Sequence, residues 1–263
     1  SNPGYTSYQT LLKYYREVLQ TAKSIDPDGL YTFHINGEST AVPTELFKQV
    51  DFFSYQSGHG SGQQTAYTIP QKMLKDGCKK PMIDAELCYE GLTKMKSPVP
   101  ERYLAYDVRK AAWRAVLSGA DAGLGYGTFG IWPWNDTARP EQQLKSNFNV
   151  QLVPYDWRDC LKFPGARDMG FLKSVILKYA ADGLTPIAQP NPDDATIRAA
   201  ENDQYLFIYL PTAGIFDFAN LKIKIDHCQV VDLKHREFLD GKIINNVLQL
   251  LPVTEDELVI VKK

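Results

Sequence analysis

The segment MIDAELCYEG, residues 82–91, joins the pattern of a buried strand to several reactive side chains. Its first two residues are apolar, and Asp84, Glu86, Cys88 and Glu90 follow. At the end of a strand in an α/β barrel, a polar side chain faces the mouth where substrates bind. Glu86 is therefore the leading candidate for a catalytic carboxylate. A carboxylate there can act on a glycosidic bond as nucleophile or as acid/base, depending on a second carboxylate about 5 to 10 Å away.

An ion pair at the rim of the fold is the alternative for Glu86, with Arg109 or Arg102 as its partner. Sequence spacing alone does not separate the two interpretations. Because side chains alternate along a strand, Asp84 shares a face with Glu86 and is expected one layer deeper. We expect Asp84 to support the site rather than to react.

The preceding strand pattern also ends in polar residues. Its segment FSYQSGHG, residues 53–60, offers Tyr55, Gln56 and His59 as substrate-binding candidates. The glycines of this segment would let the backbone approach a ligand closely. A tight glycine turn with a solvated histidine is the alternative.

The strand before it repeats the arrangement. In TFHINGES, residues 32–39, His34 stands at the strand end and Glu38 lies in the following loop. A lone histidine at a strand end is more often structural than catalytic, but three consecutive strands end in this way. His34 is therefore a further substrate-binding candidate.

An aromatic segment, LGYGTFGIWPWND, occupies residues 124–136 and follows a fourth strand pattern. Tyr126, Trp132 and Trp134 are its substrate-binding candidates, because sugar rings stack on aromatic faces. The alternative is that the tryptophans are buried under a loop.

Four units of strand followed by helix must position these residues. Such a series predicts a parallel sheet or barrel. In a (β/α)8 barrel the active site lies at the C-terminal ends of the strands, so all four strand ends would face one mouth. The predicted strands cover 30–35, 51–56, 80–86 and 122–128, and the predicted helices cover 7–24, 43–50, 65–77, 101–119 and 166–180.

Four units make half of a barrel, because a complete one needs eight units and about 250 residues. After a proline-rich linker, residues 186–194, the pattern changes to period two. The predicted fold class is α/β: the C-terminal half of a (β/α)8 barrel over residues 1–185 and a small antiparallel β-sandwich-like domain over 186–263. The predicted strands of that domain cover 204–211, 221–226, 228–233, 247–253 and 257–262.

Composition excludes several classes of function. The formal net charge is −2, so a nucleic-acid partner is not expected. No apolar run approaches the roughly 20 residues of a membrane span, so no membrane partner is expected. The four cysteines form no CxxC pair and the four histidines no HxxxH pair, so neither a metal site nor a disulfide framework is predicted. No cofactor is implied.

Four segments carry a resemblance to a known family. In order, DFFSYQSGHG, PMIDAELCYEG, YDVRKAAWRAVLSGADAGLGYGTFGIW and GARDMGFLK resemble the apiosidase-like group of bacterial glycoside hydrolases, some of which are described as endoglucanases. Members are (β/α)8 barrels followed by a small C-terminal β-domain. The resemblance is strongest over residues 30–170.

The resemblance implies roles for particular residues. Glu86 matches the family's nucleophile at the end of the seventh barrel strand, so the four strands would be strands five to eight. Tyr89 and Glu90 would belong to the loop that lines the substrate subsite. The acid/base carboxylate, from strand four, is expected upstream of Ser1. The implied substrate is an oligo- or polysaccharide of plant or host origin, and the implied location is periplasmic or extracellular.

Two other hypotheses for the function of the chain remain. A non-catalytic carbohydrate-binding fragment would keep Trp132 and Trp134 without turnover. A half barrel could also self-associate, two copies completing one ring, because unpaired strand edges invite pairing.

Overall fold

The computed structural model describes residues 8–95, 97–139, 152–221 and 223–263. The architecture is mixed α/β, with a parallel sheet in the first part of the chain and antiparallel sheets in the last. Residue 7, the predicted start of the first helix, lies outside the described residues. No helix in the described ranges is long and apolar enough to cross a membrane.

A three-stranded parallel sheet positions the residues of the candidate site. Its strands are β1 (Phe53–Tyr55), β2 (Met82–Asp84) and β3 (Gly123–Leu124), with β2 in the middle. Helices connect successive strands, as parallel pairing requires. The helices are α1 (Tyr8–Ile25), α2 (Thr44–Phe47), α3 (Thr65–Lys75), α4 (Ala105–Val116), α5 (Trp157–Cys160) and α6 (Gly165–Tyr179).

The predicted strand at 30–35 is not a strand in the structure. The segment still runs beside β1, and the amide of Asp51 donates to the carbonyl of Tyr31 at 2.8 Å. Two other links use side chains: the Tyr31 amide donates to the Asp51 carboxylate, and the Thr32 hydroxyl donates to the Phe52 carbonyl, both at 2.8 Å. Side-chain hydrogen bonds thus take the place of part of the backbone hydrogen-bond ladder of a regular strand. A hydrophobicity pattern does not reveal this replacement.

Helix α4 packs against the sheet through a face of small residues. Val108, Ala111, Ala112 and Ala115 are buried at spacings of three and four, which is the period of one helix face. Short alanine side chains let the helix axis come close to its neighbours. Trp113, which is fully buried, fills the space beside that face.

The last part of the chain forms two antiparallel sheets. Six strands pair in the order β4-β5-β6-β12-β8-β9, and three pair in the order β10-β11-β7. The short strand predicted at 247–253 covers only two residues, and the segment predicted as strand 221–226 holds no named strand among its described residues. The Asn246 side chain hydrogen-bonds the backbone of Ile223 and Ile225 there instead. The strands are β4 (Thr185–Ile187), β5 (Arg198–Glu201), β6 (Tyr205–Leu210), β7 (Phe216–Asp217), β8 (Cys228–Asp232), β9 (Glu237–Gly241), β10 (Ile243–Ile244), β11 (Val247–Leu248) and β12 (Glu257–Lys262).

A buried charge network joins the helices to the six-stranded sheet. Arg109 on α4 donates to Asp168 on α6 at 2.8 Å and to Asp256, beside β12, at 2.6 Å. Asp256 also accepts from the Tyr209 hydroxyl at 3.0 Å, and Asp168 accepts from Arg236 at 2.6 Å. Because buried charges are costly without partners, this network fixes how the helices sit on the sheet.

Candidate active site

Glu86 lies two residues beyond the end of β2, with its carboxylate held between two imidazoles. Nε2 of His34 is 3.1 Å from one carboxylate oxygen, and Nε2 of His59 is 3.1 Å from the other. The Glu86 side chain is 17% exposed, so a ligand can reach it from one side. His34, His59 and Glu86, which belong to three different segments of the chain, are therefore in direct contact.

The loop that carries His59 is fixed by hydrogen bonds to β2 and its extension. The Ser57 amide donates to Oδ1 of Asp84 at 3.1 Å, and the Gly58 amide donates to the Glu86 carbonyl at 3.3 Å. Gly58 has a φ of +80°, which a residue with a side chain rarely adopts. The Tyr103 hydroxyl donates to the His59 carbonyl. Tyr103 and Ser57 are supports that the sequence motifs did not single out.

The surroundings of Glu86 favour its ionised form. Partial burial raises the pKa of Glu86, but hydrogen bonds from His59 and Tyr89 and the nearby imidazoles outweigh burial and lower the pKa overall. Nδ1 of His59 is buried without a partner in the described structure, and Nε2 of the same ring faces Glu86. An ionised carboxylate with a fixed orientation is what a nucleophile requires.

Asp84 has the opposite environment. It is fully buried, and burial raises its pKa from 3.8 to about 7, although hydrogen bonds from Ser57 act in the other direction. One of its oxygens, Oδ2, is buried without a partner in the described structure. Asp84 therefore lies deeper than Glu86 and holds the Ser57 backbone.

Aromatic side chains form a row that leads away from Glu86. The ring of His59 lies 4.9 Å from that of Tyr89, and the ring of Tyr89 lies 6.0 Å from that of Trp132. Trp132 is 49% exposed and Trp134 is 62% exposed. The alternative of tryptophans buried under a loop is therefore wrong. Trp134 stacks on Trp157, a residue that the sequence motifs did not point to.

The structure corrects one substrate-binding prediction and shows that two other candidates bind each other. Tyr55 is fully buried and its hydroxyl donates to the Ala66 carbonyl, so its side chain belongs to the core rather than to a substrate site. Glu90 is buried and accepts from the Tyr126 hydroxyl at 2.6 Å and from the Gly165 amide at 3.0 Å. Glu90 and Tyr126 thus bind each other rather than the histidines around Glu86.

The structure also shows the contacts of Gln56 and of the two arginines that the sequence suggested as partners of Glu86. The Gln56 carbonyl accepts from the Glu38 amide at 2.9 Å, and its partly exposed side chain lies against Gly37. The ion pair proposed between Glu86 and an arginine is not formed. Arg109 binds the buried network described above, and Arg102 donates to the carbonyls of Gly91 and Val153.

The described residues contain no group of three or more His, Cys, Asp or Glu side chains arranged to hold a metal ion. The four cysteines are free thiols.

Comparison with solved structures defines the class of fold. The chain matches a structure named "Glycoside hydrolase" with a TM-score of 0.72 at 22% identity, covering 94% of this chain and 60% of that one. It matches a family 5 glycoside hydrolase from Bacteroides vulgatus ATCC 8482 with a TM-score of 0.70 at 20% identity, covering 94% of this chain and 58% of that one. The chain therefore has the fold of part of these glycoside hydrolases and spans about three fifths of their length.

Family membership follows from a second comparison. Residues 3–181 match the family described as "Apiosidase-like, catalytic domain". The chain belongs to the apiosidase-like family, as the sequence motifs predicted. No curated protein matches the sequence.

Proposed function

We propose that the protein is a glycoside hydrolase that uses Glu86 as the nucleophile of a retaining reaction. The observation that carries this proposal is the Glu86 carboxylate itself. It is ionised, partly exposed, oriented by His34 and His59, and placed at the C-terminal edge of a parallel sheet. Membership of a glycoside hydrolase family supports the same reaction class.

In the proposed reaction, a Glu86 oxygen attacks the anomeric carbon, and the bond from that carbon to the leaving oxygen breaks. A second carboxylic acid protonates the leaving oxygen, and a covalent glycosyl-enzyme forms. Water, deprotonated by the same second carboxylate, then releases the sugar and restores Glu86. The contacts with His34 and His59, one to each carboxylate oxygen, hold the Glu86 carboxylate in one orientation for this attack.

The second carboxylate of a retaining site stands about 5 to 5.5 Å from the nucleophile. Within this chain Glu38 is better placed than Glu90 to act as a second carboxylate, because its side chain packs beside Gly58 and Gly60, which flank His59. Glu90 is buried against Tyr126 instead. The family pattern places the acid/base on barrel strand four, so we propose that this chain alone has little or no hydrolase activity.

We further propose that residues 1–185 supply strands five to eight of a (β/α)8 barrel and that residues 186–263 form a β-sandwich-like domain. The parallel order β1-β2-β3, with the segment at 30–35 beside β1, supports the first part. The substrate we propose is an oligo- or polysaccharide, contacted by His34, Gln56, His59, Tyr89 and the exposed tryptophans. Export from the cell is the expectation for the family.

Covalent trapping tests the nucleophile. The protein is incubated with a panel of 2-deoxy-2-fluoro glycosides carrying good leaving groups, which need little acid assistance. We expect one sugar to add its mass to the chain, and peptide mapping to place it on Glu86. A label on Asp84 or Glu90 would refute the assignment to Glu86.

Binding without turnover is the second candidate function, favoured by the exposure of Trp132 and Trp134. It predicts retention on a polysaccharide and no product or label with any glycoside. Self-association is the third, favoured by the exposed Leu11, Tyr14 and Val18 of α1. Light scattering during size-exclusion chromatography distinguishes a monomer from a dimer.

A further inference from the structure

Trp134 is a large aromatic side chain held in an unfavourable conformation at the surface. It is 62% exposed, and its backbone has a φ of +49°. Bulky residues rarely adopt this left-handed conformation, because Cβ then crowds the backbone carbonyl. Exposure also forgoes the stabilisation that burial of the ring would give. A strained residue that does not serve the core is an indication of function.

The ring of Trp134 is fixed by a second tryptophan. It stacks on Trp157 with centroids 5.1 Å apart and an angle of 7° between the planes. The Arg158 guanidinium lies over the Trp157 ring at 4.4 Å. We call Trp134 and Trp157 the tryptophan platform.

The backbone beneath the tryptophan platform is cross-linked by hydrogen bonds. The Trp157 amide donates to the Asn135 carbonyl at 2.9 Å, and the Asn135 side chain donates to the Tyr155 carbonyl at 2.9 Å. Asp156 accepts from both the amide and the hydroxyl of Thr137, at 2.9 and 2.8 Å. A surface that is rigid before binding loses less entropy when it binds a ligand.

The platform continues the aromatic row that begins at Glu86. Trp132 contacts Tyr89, and Tyr89 contacts His59, which binds Glu86. Trp134 follows Trp132 by two residues, a span of at most about 7 Å between Cα atoms. A chain-like ligand could therefore touch both tryptophans while one of its bonds lies at Glu86.

Among the described residues, the charged side chains beside the platform are paired with one another. Arg158 binds Asp136 at 3.1 Å and Asp156 at 3.4 Å. Arg139 lies 3.9 Å from Asp136. A flat aromatic face can stack on the apolar face of a sugar ring, and the paired polar groups at its border can bind the sugar hydroxyls. Because these charges are already neutralised, the surface fits an uncharged sugar better than an anionic sugar.

We propose that Trp134 and Trp157 form an outer subsite for a neutral polysaccharide whose reacting bond lies at Glu86. The inference rests on the proposed function and deepens it, because it makes the polysaccharide an uncharged one and assigns its outer sugar units to Trp134 and Trp157. The platform binds sugar units beyond the one that reacts.

Affinity electrophoresis tests the subsite, with the whole chain run in gels that contain a β-glucan, an arabinoxylan, a galactomannan or an arabinogalactan. The test variant is Trp134→Asn, because Asn tolerates the left-handed conformation and so protects the fold. The matched control is Phe238→Ala, which removes a 41% exposed ring on β9. We expect at least one polysaccharide to retard the wild type, and Trp134→Asn to weaken that binding by about tenfold or more. Phe238→Ala should bind like the wild type.

Three results would overturn the subsite. The first two are retardation by none of the four polysaccharides and equal retardation of the wild type and Trp134→Asn. The third is a change of oligomeric state in Trp134→Asn, because the platform would then be a protein contact. Binding through Trp134 with no trapping of Glu86 by the fluoro glycosides would refute the proposed function and leave the subsite intact. Trapping of Glu86 with unchanged binding in Trp134→Asn would refute the subsite and leave the proposed function intact.

Discussion

At the scale of single residues, two carboxylates only two positions apart have opposite properties. Glu86 gains hydrogen bonds from His59 and Tyr89 that lower its pKa, whereas burial raises the pKa of Asp84 to about 7. Environments that separate the pKa values of neighbouring acids are typical of catalytic sites, because each acid can then hold a different protonation state. The sequence showed both acids but not whether the pKa of either is raised or lowered. That direction depends on burial and on partners such as Ser57 and His59, which lie 27 residues from Asp84 and Glu86 respectively.

Glu86→Gln should remove hydrolysis while keeping the fold. Glutamine retains the shape and most hydrogen bonds of the side chain but lacks the charge that forms the glycosyl-enzyme, so kcat should fall by several orders of magnitude. The free energy of unfolding should change by less than about 2 kcal/mol. The measurement is kcat on a substrate found by screening the intact enzyme, with urea unfolding alongside.

The matched control for Glu86→Gln is Glu101→Gln, which alters a 54% exposed carboxylate paired with Lys94. It should leave kcat unchanged. Added azide should partly restore turnover in Glu86→Gln, with inverted product, because it replaces the missing nucleophile from the opposite face. Wild-type kcat in Glu86→Gln would show that the nucleophile assignment is mistaken.

Asp84→Asn should change how stability depends on pH. The pKa of Asp84 is raised in the folded protein from 3.8 to about 7, so its contribution to stability is greatest below about pH 4 and is lost as the pH rises to about 7. The loss is at most on the order of 4 kcal/mol, since each pKa unit corresponds to about 1.4 kcal/mol. Asparagine does not ionise and still accepts from the Ser57 amide.

Urea unfolding at several pH values measures the effect of Asp84→Asn. The stability of the variant relative to the wild type should increase between about pH 4 and pH 7, the window set by the two pKa values. Asp182→Asn, at an exposed position, is the control and should show no such trend. Parallel pH curves for Asp84→Asn and the wild type would mean that Asp84 stays ionised when buried.

At the scale of elements, the long helices were predictable and several strands were not. The helices α1, α3, α4 and α6 each begin and end within a few residues of the prediction, because an amphipathic period extends over several turns. The strands β5 and β9 were missed, since RAAE and EFLDG lack a clear alternation. Tyr55 was misassigned because β1 is buried along its whole length, so alternation could not show which face meets a ligand.

Gly125 makes the contact between β3 and β2 possible just before Glu86. A Cβ at this position would lie 2.1 Å from the Ala85 carbonyl oxygen, which is backbone and cannot move aside easily. Gly125→Ala should therefore destabilise the protein by about 1 to 3 kcal/mol and displace Glu86, lowering kcat as well. Urea unfolding and kcat of the intact enzyme measure the two effects.

Gly170→Ala is the matched control for Gly125→Ala. A Cβ at Gly170, within α6, would meet no atom within 4 Å. Alanine favours the helix over glycine by up to about 1 kcal/mol, so this variant should be neutral or more stable. Equal behaviour of the two variants would show that the strand contact at Gly125 has room to relax.

At the scale of the whole molecule, Arg109 links parts of the chain that lie far apart in sequence. Its guanidinium binds Asp168, 59 residues away, and Asp256, 147 residues away. The sequence offered Arg109 only as a partner for Glu86, because the position of the antiparallel sheet against α4 and α6 cannot be read from local patterns. The family resemblance predicted the reaction class and the candidate nucleophile. The contacts of Arg109 with Asp168 and Asp256, in contrast, could be found only from the structure.

Arg109→Ala should destabilise the protein strongly, because it leaves Asp168 and Asp256 buried with a cation removed. Breaking a buried pair from one side typically costs about 3 to 5 kcal/mol. Lys263→Ala, which removes the cation from an exposed pair with Glu201, should cost only about 0 to 1 kcal/mol. Urea unfolding at neutral pH compares the two variants.

The effect of Arg109→Ala should also depend on pH, and the direction follows from Asp256. Burial already raises the pKa of Asp256 while Arg109 lowers it, so loss of the guanidinium raises that pKa further. A raised pKa in the folded state means that stability is retained where Asp256 is protonated and is lost as the pH rises through its pKa. The variant should therefore lose less stability relative to the wild type in mild acid than at neutral pH. An equal loss at both pH values would show that the cost comes from lost packing of the arginine side chain rather than from an unpaired carboxylate.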